Sequence, residues 1–248
     1  MASQSELCRE VLSRMRDAEI LDDLVLVGSW CLPAYREYFS GVGRVRTLRT
    51  RDLDFLVPLP SKLLARVDVV EMLDDLGFIM GYRGAQGYMI LEHPELSVEF
   101  LVPERGRGTD RPVDLPMLGV NAQPLRYMDV ALMNVIQAEL HGVEINVPHP
   151  VCFTLHRLLV APRRREEEGR LRDREIAVHV MDLLHAKSET FSVLSFFEKF
   201  PLSWRKIIIR ELKQSDRPDL IDTFGFSALK SAANPKSPIQ NPKSQHGL

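Results

Sequence analysis

An α/β fold of the α+β kind, followed by an all-helical part, is predicted for this 248-residue chain by three observations. Short apolar runs bounded by Gly and Pro recur up to Pro148, at residues 24–27, 55–57, 96–102 and 143–147. Stretches of helical periodicity lie between them. After Pro150 the strand-length runs give way to helical spacing alone. The division expected is 1–148 for the α/β domain, 149–228 for a helical domain and 229–248 for a disordered tail.

The elements follow in order. Residues 5–21 carry Leu7, Val11, Leu12 and Met15 at helical spacing. Residues 24–27 read as a short buried strand closed by Gly28-Ser29. A helix is expected over 32–39, where Pro33 is tolerable because it falls in the first turn. Residues 40–43 are a loop, and 52–57 form a strand stopped by Pro58 and Pro60. Ser61 can cap a helix running to residue 76, ended by Gly77. The glycine-rich stretch 81–87 reads as a flexible turn. Residues 88–91 and 96–102 pair as a hairpin across His93-Pro94-Glu95. An exposed loop rich in Gly, Arg and Pro spans 104–114. A short strand near 118–120, a helix over 129–139 and a strand over 143–147 complete the first part. Helices are expected at 151–160, 165–186, 190–199 and 202–212. The tail repeats Asn-Pro-Lys-Ser at 234–237 and 241–244 with few apolar residues, a composition that does not build a core.

Composition narrows the partners. A net charge of −2 gives no global attraction to nucleic acid or to an anionic membrane, so any such contact needs a local basic patch. Cys8, Cys31 and Cys152 are scattered and odd in number, which suits a reducing cytosol. No apolar stretch approaches 18 residues, and the polar N-terminus lacks a signal-peptide core. A cytoplasmic protein without membrane contact is expected.

The chemistry concentrates in the acids. Asp52 and Asp54 alternate in a strand and therefore share a face. Asp54-Phe-Leu-Val-Pro58 is echoed by Glu99-Phe-Leu-Val-Pro103, so two strands built alike could bring three carboxylates to one spot. Two charges about 4 Å apart repel by roughly 4 kcal/mol at an effective dielectric near 20. Such a group either protonates or holds a divalent cation, and oxygen ligation favours Mg²⁺ or Mn²⁺. Gly28-Ser29, a strand-to-helix turn, offers backbone N–H groups to phosphate. Singly, each feature is ordinary. Their order argues for a site: strand with Gly-Ser, strand with Asp-x-Asp, helix, then a hairpin strand bearing an acid.

These residues resemble the hG[GS]…DhDh…h[DE]h pattern of the nucleotidyltransferase superfamily that includes DNA polymerase β. The stretch Arg49 to Phe55 is most similar to minimal bacterial members, among them the abortive-infection toxin nucleotidyltransferases. Further echoes run through Gly142 to Pro150, Phe153 to Leu158, and Arg172-Asp173, so the resemblance covers roughly residues 20 to 190. It implies a nucleotidyltransferase fold, a small mixed sheet flanked by helices, with a C-terminal helical domain. It further implies transfer of a nucleoside monophosphate from an NTP such as ATP to an acceptor hydroxyl, releasing pyrophosphate. Asp52, Asp54 and Glu99 would be catalytic and hold magnesium, or manganese. Gly28, Ser29, Arg51 and Arg157 would bind the nucleotide in the cleft between the two parts. The acceptor stays open among RNA, protein and small molecule, and an antitoxin or a second copy is the partner to test. The Ser29-to-Asp52 gap is longer than in the antibiotic-modifying branch, which argues against that substrate. Arg157 stands where relatives often carry Lys, exchanging a point charge for a bidentate grip. A silent nucleotide-binding or protein-interaction module of the same fold is the alternative.

Other features keep two readings. Arg44, Arg46, Arg49 and Arg51 form a basic run that guides a polyanion or simply faces water. Trp30 is a core residue or a base-stacking platform. The seven histidines show no metal-ligand spacing.

Overall fold

The computed structural model describes residues 3–47, 50–64, 66–108 and 110–227. The expected tail with its Asn-Pro-Lys-Ser repeats, and Arg49 of the basic run, lie outside the described residues. Helix α1 (Gln4–Asp17) is opened by a capping box in which Ser3 and Glu6 bond each other's backbone N–H groups. It buries Leu7, Val11, Leu12 and Met15. β1 (Val25–Val27) follows, then a 3₁₀ turn at Gly28–Trp30 that runs into α2 (Cys31–Ala34). β2 is Asp52–Leu56, α3 Val69–Asp74, β3 Ile79–Arg83, β4 Tyr88–Glu92 and β5 Ser97–Pro103. β6 (Val113–Leu115), β7 (Val120–Leu125), α4 (Met128–Leu132), β8 (Val135–Leu140) and β9 (Val143–Pro148) complete the first part. The helices α5 (Pro150–Val160), α6 (Glu167–Ala186), α7 (Thr190–Glu198), α8 (Leu202–Lys213) and α9 (Leu220–Thr223) form the second.

The main sheet is mixed, in the order β1-β2-β5-β4-β3, with β7 beside the far end of β5 and β6 beside β7. β5 runs parallel to β2 and β7 and antiparallel to β4. The sequence echo becomes a register: Asp54 pairs with Glu99, Phe55 with Phe100, Leu56 with Leu101. Alternation then sorts the strands' two faces. Leu53, Phe55, Val57, Val98, Phe100 and Val102 enter the main core, where the Phe55 and Phe100 rings stack at 5.9 Å. Asp52, Asp54 and Glu99 take the other face, ahead of a small cluster of Val25, Val27, Leu56, Leu101, Met128 and Ala131. The main core runs from Leu7 to Phe226 and is shared by the α/β part and the helices. Among the described residues no helix is long and apolar enough to cross a membrane.

Four expectations are corrected. The helix over 32–39 shrinks to α2; the chain then turns, with Tyr35 and Phe39 buried and the Tyr35 hydroxyl donating to the Pro148 carbonyl at 2.6 Å. The helix from Ser61 begins only at Val69, because the Val67 and Val69 N–H groups donate to the Met117 and Leu118 carbonyls. Its cap is Asp68, which accepts from Val70 and Glu71. Residues 135–139, expected to be helical, form β8, paired with β9 across His141-Gly142, both at positive φ of 54° and 82°. That pair fits the two-residue hairpin turn whose backbone twist matches its strands. Residues 81–83 belong to a strand rather than a flexible turn: β3 pairs with β4, and the turn is confined to residues 84–87.

Candidate active site

The carboxylates stand at the start of β2 and on β5 because the run of Phe, Leu and Val after each one anchors its strand in the sheet. Asp54 and Glu99 are direct neighbours across the parallel pair, and Asp52 is two residues back on the same face. All three line one cavity of about 300 Å³ with Gly28, Arg83, Phe153, His156, Arg157 and Arg164. The sheet forms its floor and α5 its opposite wall.

Each acid has its own partner. Asp52 accepts from the Ser97 hydroxyl at 2.8 Å, across the Asp52–Ser97 register pair. Glu99 accepts from the Arg83 guanidinium, whose other terminal nitrogen lies 3.9 Å from Asp52. Asp54 has no such bond among the described residues. Burial, then the charges of Glu99 and Asp52, push its carboxyl up to about 7, against the opposing pull of Arg157 and Arg83. Glu99 is also raised, by burial foremost, with Arg83 holding it down.

Gly28 sits at φ +75°, and a Cβ there would run into Asp54 Oδ2. Glycine is therefore needed twice, for the left-handed turn and for the close approach of Asp54. α2 is only four residues long, so its dipole adds little and the turn itself would do any anion binding.

Arg157 enters from α5. It is 6% exposed, and its Nη1 donates to Asp173 Oδ1 at 2.5 Å. Arg164 takes the other Asp173 oxygen at 2.7 Å, while Arg157 Nη2 reaches Ser29 Oγ at 3.4 Å. Arg157 also lies over the Phe153 ring, 5.0 Å from its centroid. Beside it His156 is pushed down to about 3 by burial and the Arg157 charge, so it stays neutral. Its buried Nε2 has no hydrogen-bond partner among the described residues.

Of the sequence-predicted residues, Asp52, Asp54, Glu99, Gly28 and Arg157 meet in this cavity, and Ser29 touches it through Arg157. Arg51 lines the adjoining cavity instead, with its guanidinium donating to the His93 carbonyl at 2.8 Å. Trp30 is buried edge-on to His141 at 5.9 Å, a core position rather than a platform. Sequence reasoning missed Arg83, Ser97, Arg164 and His156. Arg83 was hidden by the glycines flanking it. Its one signal was the alternation of Met80 with Tyr82 across Gly81, in the strand that pairs with β4.

The three carboxylates share a face and a cavity but are not drawn into one cage. Among the described residues no group of three or more His, Cys, Asp or Glu side chains could hold a metal ion as it stands. Arg83 is the physical reason, since its guanidinium lies against Glu99 and near Asp52. The donor set nevertheless suits a hard divalent ion: all-oxygen, crowded, and with its two most buried acids raised by burial foremost and then by neighbouring carboxylates.

A family model described as Nucleotidyltransferase matches residues 6–198. No curated protein matches. Among solved structures the chain is similar to ANT(2'')-Ia in complex with adenylyl-2''-tobramycin, with 13% identity, TM-score 0.48, and coverage of 80% of this chain and 99% of that one. It is similar also to an antigenic nucleotidyltransferase-like protein from Paracoccidioides brasiliensis, with 12% identity, TM-score 0.47, and coverage of 91% and 94%. The solution structure of the antibiotic-resistance factor ANT(2'')-Ia gives 13% identity, TM-score 0.41, and coverage of 79% and 96%.

Proposed function

The chain belongs to the nucleotidyltransferase family, and on that premise we propose that it transfers a nucleoside monophosphate from an NTP to an acceptor hydroxyl, releasing pyrophosphate. The observation that carries the reading is the in-register pair Asp54 and Glu99 in a cavity closed by Gly28 and Arg157. Asp52, Asp54 and Glu99 would hold Mg²⁺ or Mn²⁺, which supplies positive charge to the triphosphate and to the leaving pyrophosphate.

The chain's own groups do the rest. Arg157, fixed by Asp173 and Phe153, presents a cation beside the Gly28-Ser29 turn, where phosphate oxygens would lie. Arg164 shares Asp173, so Arg157 keeps charge to spare for the substrate. Glu99, in register beside Asp54, would help to take the proton of the acceptor hydroxyl. His156 stays neutral and adds no charge to compete for phosphate.

One observation favours a second reading, a nucleotide-binding module without turnover: Arg83 ties up Glu99 and keeps the acids from closing. Incubation with Mg²⁺ and α-labelled NTP, followed by separation of RNA, protein and small-molecule pools, decides between them. Label in one pool, abolished by Asp54→Ala, supports transfer. Binding without incorporation, indifferent to Asp54→Ala, sinks it. Growth arrest on expression, relieved by Asp52→Ala, would place the activity in a toxin.

A further inference from the structure

A second, larger cavity of about 950 Å³ lies away from the acids, lined by Arg36, Arg44, Val45, Arg46, Glu175 and His179 among others. Arg36, Arg44 and Arg46 are exposed, and none has an ion-pair partner among the described residues. Glu175 is the one acid in that lining. In a chain of net charge −2, three arginines without ion-pair partners around one hollow make a local basic patch of the kind a polyanion needs.

The backbone of this loop is built, not draped. The Arg46 N–H donates to His179 Nε2 at 3.0 Å. Gly43 packs so closely on α6 that a Cβ there would lie 2.7 Å from Leu183 Cδ2. The loop is pinned to α6 while its arginine side chains stay unpaired.

The hollow also points towards the active site. Arg172, Glu175, Ile176 and His179 are spaced i, i+3, i+4, i+7 and share one face of α6. Arg172 lines the neighbouring cavity with Arg51, Asp52 and Arg83, whereas the other three line the arginine hollow. Seven residues of helix separate its two ends, about 10 Å. Thr50 and Arg51 accompany Arg172, and Arg44 to Thr47 accompany the residues further along. The two cavities thus lie in succession along one face of α6, with Arg36 in the first and Asp52 in the second.

We propose that the two cavities form one groove, which binds the phosphodiester backbone of a single nucleic-acid strand and delivers its hydroxyl to Asp52 and Asp54. The claim rests on the transferase reading for the word acceptor, but the binding itself does not. A small-molecule acceptor would bind wholly beside the acids, whereas three unpaired guanidiniums in a hollow set apart from them fit a further stretch of a repeating anion.

The test is fluorescence anisotropy with labelled single-stranded RNA and DNA of one sequence, without NTP, over a salt series. The protein is wild type and the Arg36→Gln/Arg44→Gln/Arg46→Gln variant, whose changes are all at the surface. Binding should weaken roughly tenfold or more, and the slope of log K against log salt should fall by about two, at roughly 0.7 per lost contact. A preference for RNA over DNA would locate recognition at the 2′ hydroxyl, and equal binding at the phosphates alone. Absence of binding to both, or equal affinity and slope in the variant, overturns the proposal. Incorporation of α-labelled NMP, compared in wild type and Asp54→Asn, reports separately on the transferase reading. Absence of that signal in wild type, with arginine-dependent binding intact, overturns the reading and leaves the groove.

Discussion

Asp54 on β2 and Glu99 on β5 occupy paired positions of a parallel ladder, so their carboxylates leave the same face of the sheet side by side. Neighbouring like charges on adjacent strands are unfavourable. Here the surroundings make matters worse, since burial is the largest cause of the rise in both acids. A fold that served stability alone would place apolar or opposite charges there. The arrangement therefore stores repulsion that a bound cation or proton relieves.

That repulsion sets a pH dependence. Asp54 has an ordinary value of 3.8 and sits at about 7 in the folded chain. The folded state thus holds its proton more tightly, so its contribution is present below pH 4 and is lost as pH rises through 7. The loss is at most about 4 kcal/mol, at roughly 1.36 kcal/mol per unit. Thermal melts in EDTA should show a midpoint that falls from pH 5 to pH 8 in wild type. Asp54→Asn should flatten the fall only partly, because Glu99 is raised too. Equal slopes in the two proteins would refute the assignment.

Gly28→Ala should damage the site more than the fold. The new methyl meets Asp54 Oδ2, and the backbone at φ +75° disfavours any side chain. The strain is about 1–2 kcal/mol, which a domain of this size survives, but Asp54 must move. NTP affinity and incorporation should fall at least about tenfold, with a melting loss of only a few degrees. Ser29→Ala, which removes only a 3.4 Å contact to Arg157, is the mild comparison.

Arg157 and Asp173 should differ in cost. Removing Asp173 strands Arg157, a cation 6% exposed, without its main partner. Loss of one member of a buried pair costs about 3–5 kcal/mol. Arg157→Ala should cost less, because Arg164 still neutralises Asp173. Arg157→Lys keeps the charge but cannot meet Asp173 and Ser29 as a fork. Urea unfolding should rank the losses Asp173→Ala, then Arg157→Ala, then Arg157→Lys. The reverse order of the first two would mean that Arg164 does not neutralise Asp173 once Arg157 is gone.

What the sequence revealed follows from range. β2 and β5 were readable because their repeated acid-Phe-Leu-Val pattern is local, and their pairing register followed from it. α5, α6 and α8 were readable because each keeps one apolar stripe long enough to count. The helix expected from Ser61 failed because Val67 and Val69 bond Met117 and Leu118, some fifty residues away. β8 failed because the sequence 135–139 suits either state and only its partner β9 decides. Within the site, the acids on strands already recognised were found, though Ser97 at the start of β5 was not. Arg83 was not, because its strand was not.

Arg83 offers the sharpest remaining test, since it holds the position a cation would contest. Its guanidinium bonds Glu99, stands 3.9 Å from Asp52, and lowers both raised acids. If it stands in for an ion, Arg83→Ala should destabilise the protein in EDTA and bind Mg²⁺ more tightly. Its side chain is half exposed, so solvent screens the effect. A roughly fivefold fall in the half-saturating Mg²⁺ concentration is the scale expected, about 1 kcal/mol. Arg83→Lys, which keeps the charge without the fork, should lie between. The measurement is melting temperature against Mg²⁺ concentration at pH 8, where Asp54 is ionised. Half-saturation that stays the same in Arg83→Ala would show that Arg83 does not compete with the ion. Half-saturation that rises would make it a residue that helps to assemble the site.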